Sequence, residues 1–337
     1  MKIVKYILLF LVVAGSLAWG TLAIKYSPLA MPFKSWLIWL FPGISLAMLI
    51  FIRPGRRAFI CYCGLFALVL AGWLSMQPSN QRNWQPDVAI LPFAQIEGDK
   101  ITVRNIRNLD YRTETDYQVQ HYDRAFDLSQ LRSMDLFLSD WGLKTIVHTL
   151  VSFGFADGSY LCISVETRKE VGEEYSNLKG FFRNYELFYV VADERDLIRL
   201  RTNYRKGESV YLYRLGGSSL EVIRKIFLDY IYYINRLHDK PEWYNALLSN
   251  CTTQIRGHTR PYVGKVRWDW RLLANGYVDE LAYEVGVLDQ SLPFAELKRR
   301  SLINDKAKTA DQDPDFSRRI REGLPGMHRG LAVSPQE

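Results

Sequence analysis

The sequence predicts an α+β fold, an antiparallel sheet with packed helices, preceded by three transmembrane helices. Three observations lead there. Long uncharged apolar runs fill the first 76 residues, short β-branched and aromatic runs separated by turn residues follow from about residue 88, and one stripe of apolar residues at helical spacing runs from Leu220 to Leu237. A chain of 337 residues accommodates a membrane region and one sizeable further domain.

The membrane region comes first. Tyr6 to Ile24 is uncharged and long enough to cross ~30 Å of hydrocarbon, and Trp36 to Ile52 and Ala58 to Met76 repeat the pattern. A cleaved signal peptide is the alternative for the first run, given the basic "MKIVK" start and the small residues of "GSLA". Two further spans follow closely and the run exceeds a usual signal core, which favours a retained helix. Pro42 and Gly43 interrupt the second span, as membrane helices tolerate. Lys2, Lys5, Arg53, Arg56 and Arg57 flank one side and only Lys25 and Lys34 the other, so everything after Met76 is expected outside the cytoplasm. The net charge of +7 would elsewhere raise nucleic acid as a partner. An exported domain rarely meets it, and anionic lipid head groups attract the same charge.

Residues 77–87 have the Pro, Ser and Asn of a linker, and an exported domain is expected over 88–300. Strand character appears at "DVAILPF", "KITVRNI", "YQVQHY" and "SMDLFLS", and later at "ELFYVVAD", "LIRLRTNY" and "SVYLYRL". The clearest unit is Lys144 to Arg168, where two such runs flank Asp157 and Gly158, a dipeptide suited to a tight antiparallel hairpin. Leu220, Ile223, Phe227, Tyr230, Ile231, Ile234 and Leu237 mark an amphipathic helix over 218–238 laid on a sheet. From 301 to 337 apolar content falls and charge rises, the composition of a polar tail.

Four cysteines bound the thiol chemistry. Cys61 and Cys63 fall in the third span; Cys162, in "YLCISVE", reads as a buried strand thiol. Cys251 stands among Asn250, Thr252 and Thr253 at what reads as the start of a helix. A disulfide between Cys162 and Cys251 is one reading in an oxidising compartment. The other is a nucleophile, because a helix N-terminus supplies both the partial charge that lowers a thiol pKa and free N–H groups for an oxyanion. Such a thiol needs a base. Of five histidines, His238, His258 and His328 read as solvated, His121 as a strand residue with no cleft around it, and His148, opening the hairpin strand, as the best candidate.

Together "HTLVSFGFADG", "ISVETRKEVGEEYS", "DERDLIRLRTNYR" and "YNALLSNCTT" resemble the periplasmic domain of the Lnb group of bacterial lipoprotein N-acyltransferases, over about Leu131 to His258. The order of histidine strand and cysteine helix is also similar to permuted papain-like enzymes of the NlpC type. The resemblance implies a permuted papain-like periplasmic domain anchored in the bacterial inner membrane, with Cys251 as nucleophile and His148 as base. It implies acyl transfer from a phospholipid, through a Cys251 thioester, to the N-terminal amine of a lipoprotein. A wall-directed NlpC-type cysteine peptidase or amidase is the alternative on the same residues, and an inert anchored scaffold a third.

A third group should orient the imidazole. Glu166 and Ser164 lie on the return strand: a two-residue Asp-Gly turn would pair His148 with Thr167, whereas one extra loop residue brings Glu166 opposite, and Glu166 is the residue selected. Arg195, Arg199, Arg201 and Arg205 form a cluster readable as a solvated strand edge or a head-group site. No HExxH, CxxC or glycine-rich phosphate loop appears, so no metal or nucleotide cofactor is expected.

Overall fold

The computed structural model describes residues 2–27, 29, 31–143, 145–263 and 269–327; Lys144, His328 and the rest of 328–337 lie outside them. The chain divides into two compact units.

The first unit comprises Met1–Ser79, Glu174–Glu186 and Glu242–Ala246. Its three helices, α1 (Lys2–Lys25), α2 (Met31–Phe51) and α3 (Gly55–Ser75), are each long and apolar enough to cross a membrane. Pro42 is held inside α2. Ser16 Oγ and Tyr62 OH, 2.6 Å apart, tie α1 to α3, and the Trp19 ring meets Phe66 and Trp73 edge-on. The last carbonyls of α3 have no helical partner, and Arg183 supplies one: its Nη1 donates to Trp73 O at 3.1 Å and Leu74 O at 3.0 Å while the guanidinium lies over the Trp73 ring.

The second unit comprises Asn80–Glu173, Leu187–Pro241 and Leu247–Glu337. Its strands are β1 (Phe93–Glu97), β2 (Lys100–Arg107), β3 (Asp110–Tyr111), β4 (Tyr117–Gln118), β5 (His121–Asp127), β6 (Leu131–Asp140), β7 (His148–Phe155), β8 (Tyr160–Arg168), β9 (Glu186–Ala192) and β10 (Ser209–Arg214). Eight form one sheet in the order β1-β2-β9-β8-β7-β6-β10, with β5 also on β2; β3 and β4 pair apart. The sheet is mixed rather than purely antiparallel, since β2 and β9 meet in parallel at Arg107 and Ala192. The helices are α4 (Glu194–Arg199), α5 (Leu220–Asp239), α6 (Cys251–Thr259), α7 (Val278–Glu284), α8 (Phe294–Arg300), α9 (Asn304–Thr309) and α10 (Phe316–Arg319).

The hairpin follows the longer of the two expected geometries. Phe155 and Ser159 close a three-residue loop in which Gly158 takes φ +80°, a conformation that favours glycine. Leu150 therefore pairs with Ser164 and Gly154 with Tyr160. The expected amphipathic helix is α5, whose Ile223, Phe227, Tyr230, Ile231, Ile234 and Leu237 are buried and whose start is capped by Ser219 Oγ accepting from Val222 N.

Four expectations need correction. "LIRLRTNY" is helical, α4 running into a π-helical turn over Leu200–Tyr204, because the Asp193 carboxylate accepts from Arg195 N and starts a helix that the alternating apolar and basic residues disguise. "DVAILPF" is not a strand: Pro86–Val88 is a 3-10 turn and β1 opens only at Phe93. The linker is ordered from Asn80, with Trp84 buried, bridged to Glu170 and covered by the Arg168 guanidinium. The stretch 301–327 is no loose tail. Ile303, Ala307, Phe316 and Ile320 are fully buried in the main core, and Arg321 bonds Asp135 and Glu194 beneath the surface. Few apolar residues suffice when most of them point inward.

Phe316→Ala should therefore destabilise the protein by about 3–5 kcal/mol, read as a lower urea midpoint in detergent. A free tail would leave the transition where it was.

Candidate active site

Cys251 owes its position to a capping box. Asn250 Oδ1 accepts from Thr253 N and Thr253 Oγ1 accepts from Asn250 N, both at 2.9 Å, so α6 starts at Cys251 itself. The Thr253 amide is thereby used, while those of Cys251 and Thr252 keep the first-turn position that lacks a helical carbonyl. The cysteine is only 8% exposed. Its sulfur lies 3.9 Å from Thr252 Oγ1 and within electrostatic reach of the His148 ring and Thr149.

His148 opens β7, and the register set by the three-residue loop, continued two residues beyond Leu150 and Ser164, puts Glu166 opposite it. His148 Nε2 lies 2.6 Å from Ser164 Oγ and 3.0 Å from Glu166 Oε1. Ser164 Oγ donates to Glu166 Oε1 at 2.6 Å, so the Ser164 lone pair takes the Nε2 hydrogen. That pattern puts a ring proton on Nε2. Arg201 completes the set, its Nη2 donating to Glu166 Oε1 at 2.8 Å and its Nη1 to Leu197 O at 2.9 Å.

The charges follow from these contacts. Burial alone would push the imidazolium pKa down, but Glu166 and the Cys251 sulfur outweigh it and hold it at about 9. Burial would push the thiol up, but the His148 charge and hydrogen bond, with the Thr149 bonds, bring it to about 7. Glu166 stays well below the usual carboxylate range: burial opposes its ionisation, and His148, Arg201 and Ser164 prevail. Between about pH 7 and 9 the pair is thiolate and imidazolium. Cys162 is the contrast, a thiol buried among apolar side chains and pushed well above its ordinary value. Neither cysteine is in a disulfide.

The remaining candidates separate cleanly. His121 is on β5 opposite Arg107, and His238 ends α5 beside Asp239. His258 is not solvated: it is buried, with Nδ1 2.6 Å from Asp229 Oδ2 and Nε2 2.8 Å from Tyr189 OH. Of the arginine cluster, Arg199 is bound to Asp311 and Asp110, Arg205 to Glu208 and Glu114, and Arg201 to Glu166, so internal pairs absorb three of the four charges offered for head groups, while the Arg195 Nε is buried without a hydrogen-bond partner among the described residues. Asn275 was not foreseen. It contacts Val147, Thr252 and, at 4.0 Å, the Cys251 sulfur. In sequence its Asn-Gly pair signals only a turn.

A family model described as the Lnb N-terminal periplasmic domain matches residues 117–276. These residues form an Lnb periplasmic domain. The Lnb match runs from β4 to the residue after Asn275 and so includes His148, Ser164, Glu166, Arg201 and Cys251. The match covers 160 of the 337 residues and supports an Lnb-type lipoprotein-modifying enzyme there, and the three apolar helices ahead of the Lnb domain fit an inner-membrane protein. No curated protein and no solved structure matches the chain.

Glu166→Gln removes the charge that sustains the imidazolium, so the His148 pKa should fall and the Cys251 pKa rise. Below the thiol pKa each unit of rise cuts the thiolate fraction about tenfold. Iodoacetamide labelling of Cys251, followed on its own peptide by mass spectrometry, should slow about tenfold near pH 6.5 and reach half-maximum at higher pH. An unchanged profile would remove Glu166 from the site.

Proposed function

We propose that the protein is a membrane-anchored cysteine acyltransferase that N-acylates bacterial lipoproteins. The observation that carries the reading is the Cys251 thiol at the first residue of α6, electrostatically paired with a histidine that Glu166, Ser164 and Arg201 hold charged, within an Lnb domain.

In the first half-reaction the Cys251 thiolate attacks an ester carbonyl of a phospholipid. The first-turn amides of Cys251 and Thr252 face the developing oxyanion. The ester C–O bond breaks, the lysophospholipid alkoxide takes its proton from the His148 imidazolium, and the acyl chain remains as a thioester. In the second half the N-terminal amine of the diacylglyceryl-cysteine attacks the thioester, His148 accepts the amine proton, and the C–S bond breaks to regenerate the thiolate. Glu166 stays ionised throughout and stabilises the imidazolium, as the carboxylate of a serine triad does.

The surroundings favour acyl chains over glycan. Each segment that ends at a site residue carries exposed apolar side chains: Trp141, Leu143 and Ile146 before His148, Leu247 and Leu248 before Cys251, and Trp270 and Leu273 before Asn275. Such a concentration marks a lipid- or partner-facing surface more than a site for a polar polymer. The helices α1–α3 anchor the enzyme in the bilayer that confines both substrates, which raises their effective concentration. The basic flanks favour an N-terminus in the cytoplasm and a catalytic domain in the periplasm.

Cys251→Ala and His148→Ala should each leave the protein in the membrane but abolish N-acylation, read by mass spectrometry of a lipoprotein N-terminal peptide. Normal N-acylation by either variant would overturn the assignment. Wild-type protein that releases muropeptides from purified cell wall and leaves lipoprotein N-termini unaltered would be a wall peptidase instead.

A further inference from the structure

We propose that Asn275 is a positioning residue that locks the strand bearing the base to the helix bearing the nucleophile, acting through Val147 and Thr252. The proposal rests on Cys251 being the nucleophile assigned above.

The amide of Asn275 brackets one residue of the strand. Its Oδ1 accepts from Val147 N at 3.0 Å and its Nδ2 donates to Val147 O at 2.7 Å, so both backbone groups of the residue before His148 are held by one side chain. The same Nδ2 donates to Thr252 Oγ1, also at 2.7 Å, and Thr252 is the residue after Cys251. An amide has two N–H hydrogens and one carbonyl oxygen, and these three bonds use them all. The lock thus grips the chain one residue from the imidazole on one side and one residue from the sulfur on the other. The group is buried, at 7% exposure, so little water competes for its bonds. A backbone bond from Gly276 N to Thr145 O, 3.1 Å, holds the Asn275 segment along the same stretch before β7. A further tie between the two elements, Thr149 Oγ1 to Thr252 Oγ1, is 3.5 Å long and weaker.

The chemistry explains why the residue is asparagine. Aspartate could still accept from Val147 N, but it has no hydrogen for Val147 O or Thr252 Oγ1. It would also bring a carboxylate to a position now 4.0 Å from the Cys251 sulfur, where negative charge disfavours the thiolate. Alanine keeps the charge balance and loses the grip. Thr252→Val leaves the bracket on Val147 intact and releases only the helix.

The test uses the full chain in detergent, with two readouts. One is the pH profile of iodoacetamide labelling at the Cys251 peptide; the other is single-turnover formation of the acyl-thioester from a diacyl phospholipid. Asn275→Asp should move the labelling half-maximum up by about one pH unit or more and slow thioester formation about 100-fold; Asn275→Ala should give a comparable loss of rate with a smaller shift in pH. Thr252→Val should slow thioester formation about tenfold while the variant remains folded in detergent, so the lock stays testable if the Asn275 variants fold poorly. Wild-type profiles and rates in the folded Asn275 variants, or a wild-type rate in Thr252→Val, would overturn the proposal. Labelling needs no acyl donor, so it reads the lock even if phospholipid is the wrong substrate. Unaltered variants beside a wild-type thioester would reject the lock and keep the function.

Discussion

The contact between the Cys251 sulfur and the His148 ring is the interaction on which the rest depends. A buried thiol is ordinarily inert, as Cys162 is, because burial penalises its charged form. Cys251 is nearly as buried and is nonetheless brought to about pH 7, because the imidazolium beside it outweighs the penalty. The imidazolium is itself partly buried, and it holds its proton to about pH 9 because Glu166 is ionised beside it. Each charge is tolerable only in the presence of the next, which ends at Arg201. The site is a row of alternating charges only partly shielded from water, with the Glu166 side chain 29% exposed, and geometry decides whether the row holds.

That geometry reaches far from the sulfur. Arg201 lies in the π-helical turn after α4, and the C-terminal segment grips that region: Arg199 Nε donates to Asp311, Asn203 Nδ2 to Ala307 O and Asp311, and Arg321 forks onto Glu194. Ser152 also donates to Glu194 at 2.5 Å, which ties α4 to the strand that begins with His148. The polar 301–327 stretch therefore supports the candidate site at a distance, by fixing the turn that presents Arg201 to Glu166. On the opposite side, Asn250 and Thr253 fix where α6 starts and hence where the thiol stands.

What could be read from the sequence divides along local and non-local lines. The three spans, the hairpin, α5 and the helix start at Cys251 were legible because hydrophobic period and capping residues are written in consecutive positions. Glu166 was legible only up to the length of one loop, and the extra residue at Ala156–Gly158 decided it. The helical "LIRLRTNY" was hidden because its buried arginines, Arg199 and Arg201, interrupt the apolar pattern that a helix stripe would show. Their partners Asp311 and Glu166 are distant in sequence, as are Val147 and Thr252 from Asn275. His258 was misread for the same reason, since its burial comes from Asp229 and Tyr189 on other elements.

The most direct test of the charged pair as a nucleophile is to mix the full-length protein in detergent with a diacyl phospholipid, withhold any amine acceptor, quench in acid, and weigh the intact protein. The expected result is a mass gain of one acyl chain, localised to the Cys251 peptide and released by hydroxylamine. Wild-type protein that turns over lipoprotein substrate but never carries an acyl group on Cys251, or carries it on another residue, would contradict the thioester route.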